Sequence, residues 1–197
     1  RNASAGPWAT PDLVTFAVVA LAIGFASGTL VHVVPLALRR ASDDAALVGL
    51  LSAVPYLVGG LATLYWSRRS DRAAERRRHF AAACGLGVVG FVSLAASPGL
   101  AFAIVAAVAA FVGVLAAIPV FWPMPLARLS AGSAAVGIAL LQIAADLGSA
   151  LAPVVHGVAL ESSGTLTWSF AGTALVLAAG GAMISGRSRA RVAVGGP

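Results

Sequence analysis

The sequence contains no lysine, one cysteine and little charge of either sign: Asp, Glu, Lys and Arg make up 10 % of its 197 residues. A soluble domain carries about 25 % charged residues, so a water-facing globular surface is excluded. The lone Cys84 excludes a disulfide framework and a Cys/His metal cluster; set in an apolar run, it reads as a small core- or lipid-facing residue. Also missing are a Ser-His-Asp set, His and Cys at metal-ligand spacing, a phosphate-binding loop and a Gly-rich dinucleotide turn. The sequence therefore supports neither an enzyme nor a cofactor. The basic balance, 13 residues against 7 acidic ones, does not point to nucleic acid. Six of the thirteen arginines sit in one short stretch between apolar segments, and no basic helix interleaved with aromatics exists.

What remains is apolar. Hydrophobic residues make up 59 % of the chain and the mean hydropathy is +0.94, a membrane composition. The organising stretch is Pro55 to Phe80, where an apolar run ends on Tyr65 and Trp66. Arg68, Arg69, Arg72, Arg76, Arg77 and Arg78 follow, with Asp71 and Glu75 among them. Aromatics at the headgroup level followed by retained arginines mark a helix leaving the bilayer on its cytoplasmic side. A helix needs about 20 apolar residues to cross about 30 Å of hydrocarbon. On that measure the sequence divides into an all-α polytopic bundle over 12–185 with six spans, near 13–38, 45–66, 79–97, 100–122, 133–160 and 166–185. Residues 1–11 form a polar cytoplasmic lead-in, and 186–197 a cytoplasmic tail. The first residue is Arg1 and 1–11 lack the apolar core of a signal peptide, so a fragment is expected. Ser97-Pro98-Gly99 reads as a tight turn, and Pro119, Pro123 and Pro125 as the end of the fourth helix.

Six spans put both termini on one side, and the charges sort accordingly. Arg1, the six loop arginines, Arg128 and Arg187, Arg189 and Arg191 fall on the side of the termini; Arg39 and Arg40 fall on the other, with Asp43, Asp44 and Glu161. The asymmetry predicts an integral inner or plasma membrane protein with both termini in the cytoplasm. Two groups of three spans must run inverted relative to one another, the building pattern of many secondary transporters.

The fifth span carries the candidate chemistry. Gln142, Asp146, Ser149, Pro153 and His156 recur at spacings of 4, 3, 4 and 3, which at about 100° per residue is one helical stripe. Asp146 lies near mid-span, where an ionised carboxylate costs at least ~2.5–3.5 kcal/mol, so it requires a partner, a polar cavity or a proton. The stripe is either a substrate and coupling pathway, with Asp146 as proton or cation site, or a buried polar seam between helices. His156, near the outer end, is expected at the interface, with titration during transport as the alternative. In the first span Gly24, Gly28, His32 and Pro35 line up; either the glycines form a packing face that shields His32, or His32 lines the pathway and relays a proton. Gly59-Gly60 reads as close packing or flexibility.

Gly60, Trp66, Ser70-Asp71-Arg72 and Glu75-Arg76-Arg77 resemble the loop signature of the major facilitator superfamily, in wording closest to its anion:cation symporter branch of tartrate, phthalate and hydroxyphenylacetate permeases. The likeness extends along nearly the whole chain. LLSAVPYLV at 50–58 looks like the start of that family's eighth helix, PVFWPMP at 119–125 like the end of its tenth. GIALLQ at 137–142, continued by Leu147-Gly148-Ser149 and Pro153, looks like its eleventh. The match is to the C-terminal six-helix half. It implies alternating access between two six-helix bundles, one of which, the N-terminal half with its cationic substrate ligands, lies outside this sequence. It also implies that the loop of Asp71, Arg72, Glu75, Arg76 and Arg77 latches one conformation, with Asp71 facing a helix terminus. A topogenic loop that merely sets orientation is the plainer alternative, and for Arg76 to Arg78 orientation and anionic lipid contact are the expectation. The sequence departs from the family at Val31, His32, Val33 and Val34, where aromatics are usual, and at Gln142 and Asp146, where asparagines are usual.

Together these features predict half of a secondary active transporter for a small organic solute, an organic anion or carboxylate, coupled to a proton or another cation. Its partners are the lipid bilayer, the solute and proton, and the N-terminal half. The alternative is a truncated remnant or membrane scaffold with no transport of its own.

Overall fold

In lipid no water satisfies the peptide groups, so an apolar run of this length must close its hydrogen bonds within itself as helix. The computed structural model describes residues 11–73, 75–97, 99–129 and 133–194, with side chains over the same residues except 11, 41, 73 and 187–194; the described residues contain no strand. In order, the elements are α1 (Pro11–Gly28), a π-helical turn (Thr29–Val33), α2 (Val34–Ala41), α3 (Ala45–Ala73), α4 (Arg76–Ala95), α5 (Leu100–Phe121), α6 (Pro123–Leu126), α7 (Ala134–Ser163) and α8 (Thr167–Val194). The segments α1 to α2 form one rod and α5 to α6 another, leaving, among the described residues, six rods long and apolar enough to cross a membrane.

The helices overrun the apolar segments, and the differences have local causes. The stretch expected as an arginine loop is mostly helix: α3 runs on through Arg72 to Ala73 and α4 starts at Arg76. Arginine and alanine are among the best helix formers, so polarity moved this stretch out of lipid without ending the helix. Trp66 Nε1 donates to the His79 carbonyl at 3.1 Å, tying the two helix ends together across the short break. At the other end of α3, Asp44 Oδ1 accepts from the N–H groups of Ala46 (2.9 Å) and Leu47 (3.0 Å), a helix N-cap that shortens the expected turn. Gly164, at φ 69°, closes α7 in the left-handed region that favours glycine. As expected, α5 stops at Phe121, just before Pro123, with Pro119 inside its last turn; Pro123 then opens the short α6, where a missing N–H goes unnoticed, and carries the rod on to Leu126. Of the other expectations, residues 1–10 and Pro98 lie outside the described residues, as do the side chains of Arg187, Arg189 and Arg191; the expected tail is helical as far as Val194.

Packing exchanges partners between the two triplets. α1 packs on α7 and α5 on α3, so each triplet's first rod lies against the other's second; the third rods, α4 and α8, pack on each other. Consecutive rods α3 and α4, and α7 and α8, touch far less. The α4–α5 seam is the tightest, with Gly90 backed by Ala110 and Gly113 by Gly87 and Ala83, so that no side chain separates the backbones. Phe80, Phe91, Phe111 and Phe121 and Cys84 fill the interior beside it. The second rods are left at the margins: 17 % of the most apolar window of α3 and of α7 is buried, against 67 % for the first rod. Aliphatic side chains such as Leu57 and Leu61 on α3, and Leu147 and Val158 on α7, therefore point outward.

Two cross-links sort the rod ends. Arg128, after α6, pairs with Asp12 at the start of α1, while Thr167 Oγ1, at the start of α8, donates to the Ala95 carbonyl at the end of α4 (3.3 Å). The arginine-rich break between α3 and α4 shares the first of these ends by the alternation of the rods.

Candidate functional site

Close approach of α1 and α7 builds the site. A Cβ added at Gly24 or Gly28 would overlap the backbone of Ala145 or Ser149, and one added at Gly148 would overlap Leu21 and Phe25. Glycines on both partners thus let the two backbones meet, as the spacing of Gly24 and Gly28 predicts. The contact turns Ala145, Gly148 and Ala152 of α7 toward α1 and leaves the adjoining edge of α7 to line a cleft.

That cleft, about 250 Å³, lies between α1, α5 and α7. Ser27 and Gly24 come from α1, Ile118 and Trp122 from the fourth rod, and Gln142, Asp146 and Ser149 from α7. Gln142 Nε2 donates to Asp146 Oδ1 at 2.8 Å across one helical turn. Among the described residues of the lining, Asp146 is the single charged one, and both it and Gln142 are solvent-accessible on the open face of α7. The arrangement offers a carboxylate, a carboxamide, two hydroxyls and an indole around a volume sufficient for a small solute. The carboxylate is held by one amide and retains acceptor sites for a proton or a cation.

The structure splits the expected stripe. At about 100° per residue, His156 lies some 80° around the helix from Asp146, on the side of Ala145 and Ala152 that faces α1. It is not at the interface, as the sequence suggests, but 3 % exposed, and it does not line the cleft. Its Nε2 lies 2.7 Å from Thr29 Oγ1 and 3.4 Å from Thr173 Oγ1, and its ring packs 5.1 Å from that of Phe25. His32 also stays out of the cleft: it is exposed, with Nδ1 3.0 Å from the Gly28 carbonyl of its own rod. Ser27, Trp122, Thr29 and Thr173 escaped the sequence reading. Ser27 lies three residues after Gly24, a spacing that puts both on one face, and it could have been found that way.

At the arginine-rich end, Arg76 pairs with Asp71 at 3.0 Å and Arg78 with Glu75 at 2.9 Å. Asp71 sits in the last turn of α3, where the helix dipole disfavours an acid, and Arg76, the first residue of α4, offsets it. Both are largely exposed, as are Arg72 and Glu75, so the pairs are worth about 0–1 kcal/mol to folding. At the opposite end a wider cleft of about 320 Å³ opens beside Arg40, Ser97 and Thr167.

Similarity to known proteins lies with membrane carriers. The chain is 31 % identical over 133 residues to an Agrobacterium vitis protein named as a tartrate transporter, covering 68 % of this chain and 30 % of that protein. It is 31 % identical over 134 residues to a Pseudomonas putida protein named as a metabolite transport protein, covering 66 % and 31 %. It is also 32 % identical over 111 residues to the Escherichia coli inner membrane transport protein RhmT, covering 54 % and 24 %. The chain thus spans about a third or less of the length of the curated relatives it matches. No family model and no solved structure matches it.

Proposed function

We propose, from the premise that this chain belongs to the major facilitator superfamily of membrane transporters, that it supplies one six-helix half of an alternating-access carrier for a small organic solute. The observation that carries the reading is the cleft between α1, α5 and α7, where a hydrogen-bonded Gln142–Asp146 pair faces an open volume in the middle of apolar rods. A carboxylate at that depth is stable only with a proton, a cation or water at hand, and a carrier supplies all three in turn. Asp146 is the coupling site, taking up a proton or another cation, and Gln142 and Ser149 meet the solute.

An organic acid is the favoured cargo, because the likeness is to the tartrate and phthalate permease branch and a relative is named for tartrate. The described residues of the lining hold no cationic side chain, so the anionic group of such a cargo is met by the second half, which covers the open edges of α3 and α7. The arginine-rich end is cytoplasmic, consistent with eleven of the thirteen arginines lying toward it in the six-span layout. There Asp71 and Arg76, paired at 3.0 Å, latch one of the two conformations.

Thiol labelling tests the assignment cleanly, since Cys84 is buried. Ser27→Cys, in the cleft, is expected to react with a water-soluble thiol reagent and to be protected by tartrate or a related dicarboxylate. Val18→Cys, on the outward face, should be indifferent to the solute. Reaction of Ser27→Cys at one rate whatever solute is offered argues against the cleft as a pathway.

A further inference from the structure

Beside the cleft, α1, α7 and α8 meet on a polar cluster that the transport pathway does not use. His156 contributes from α7, Thr29 from the π-turn, and Ser169 and Thr173 from α8; all four are at least nine-tenths buried. The π-turn precedes Pro35, which lacks the N–H that the next turn requires. One extra residue in the turn accommodates the proline and delivers Thr29 to the imidazole.

Proton accounting identifies the tautomer. Thr29 Oγ1 lies 3.0 Å from the Phe25 carbonyl and Thr173 Oγ1 2.9 Å from the Ser169 carbonyl, and each hydroxyl has one proton to give. With those protons on carbonyls, the 2.7 Å contact between Thr29 and His156 requires Nε2–H as donor, with Thr173 as the longer second acceptor. The opposite tautomer would strand a buried Nδ1–H, which is costlier than a bare lone pair. The lone pair is therefore on Nδ1, which is buried and has no hydrogen-bond partner among the described residues; Ser169 Oγ is likewise without one.

We propose that His156 is a proton-binding site separate from Asp146, its ligand a proton taken up on Nδ1. In the packing observed here the ring is neutral, because an imidazolium would hold a second N–H against no acceptor in apolar surroundings. Among the described residues nothing nearby compensates such a charge. On α7 Asp146 lies ten residues before and Glu161 five after, about 15 Å and 8 Å along the axis. On the first rod, His32 is exposed and Asp12 lies at the far end; α8 has no ionisable residue from Thr167 to Gly186. Protonation thus requires that α1, α7 and α8 part, and closure requires that the proton leave. The inference rests on the carrier reading in that it uses the rearrangement a carrier undergoes.

Nitrogen-15 NMR of histidine-labelled protein in lipid nanodiscs tests the site without transport, with His32→Gln and His79→Gln assigning the other two rings. His156 is expected as the neutral Nε2–H tautomer at neutral pH. On acidification its protonation should coincide with shifts of the Thr29 and Thr173 amides. The Nδ1–H tautomer, protonation that leaves both amides unmoved, or a ring that stays neutral to the acid limit of folding each overturns the proposal. In vesicles holding the full-length carrier, His156→Gln, which keeps an N–H donor but binds no proton, should exchange solute while losing pH-gradient-driven accumulation at least tenfold. Undiminished accumulation overturns it. Absence of uptake by the unaltered protein would count against the carrier reading alone, and leave the NMR result to decide the site.

Discussion

Replacing Gly24 by alanine probes the helix contact that builds the cleft. A Cβ there would sit 2.6 Å from the Ala145 carbonyl carbon and 2.8 Å from its Cα, with the carbonyl oxygen closer still. Carbon atoms rest at about 3.5–4.0 Å, so the two backbones must separate by roughly an ångström, since no side chain is present to rotate away. Overpacking of this kind costs about 1–3 kcal/mol, and backbone neighbours place it toward the upper end. At 1.4 kcal/mol per decade, the folded-to-unfolded ratio falls about 5- to 150-fold. Gly60→Ala is the matched control: its added Cβ meets nothing within 4 Å, and alanine is the better helix former by about 0.5–1 kcal/mol. The assay is equilibrium unfolding in mixed micelles followed by helical circular dichroism. Gly24 and Ala145 both line the cleft, so Gly24→Ala should also lower solute uptake per folded molecule. Equal stability of Gly24→Ala and the parent, or an equal loss in Gly60→Ala, would refute the close-packed seam.

Two further substitutions separate stability from conformation at the arginine-rich end. Asp71→Asn breaks an ion pair whose side chains are 43 % and 64 % exposed, so the unfolding free energy should change by less than about 1 kcal/mol while uptake slows about tenfold if the pair latches one state. An uptake rate within experimental error of the parent would reduce the pair to a solvated contact. Trp66→Phe removes the 3.1 Å hydrogen bond to the His79 carbonyl and should cost about 0.5–1.5 kcal/mol in the same unfolding assay; an unchanged midpoint would show that this bond does not hold the two helix ends.

The membrane class, the six rods and the all-α fold were legible because long apolar runs leave the backbone only one way to satisfy itself in lipid. Gly24 and Gly28 pointed to their own use, since four-residue glycine spacing has one common meaning in a membrane. Helix ends were less legible: arginines after Trp66 signal the edge of the hydrocarbon, not the end of the helix, and α3 continues through them. The stripe from Gln142 to His156 was readable as a spacing but not as a destination. A drift of some 80° between Asp146 and His156 is small on a helical wheel, yet it decides between a cleft and a three-helix junction. Which side α1 occupies is set by Gly148 and Ala152, between the polar residues, together with partners far along the chain. Thr29 and Thr173 could not be found from pattern, because 144 residues separate two hydroxyls that lie 3.2 Å apart.

Coupling at Asp146 is tested by uptake of labelled dicarboxylic acids into inverted and right-side-out vesicles that hold the full-length carrier. The parent and Asp146→Asn are compared with and without an imposed pH gradient, at matched amounts of protein in the membrane. Gradient-driven uptake in the parent and its loss in Asp146→Asn is the predicted result. Gradient-driven uptake that persists unaltered in Asp146→Asn would contradict it, and would make the Gln142–Asp146 pair a structural contact in a carrier that couples elsewhere.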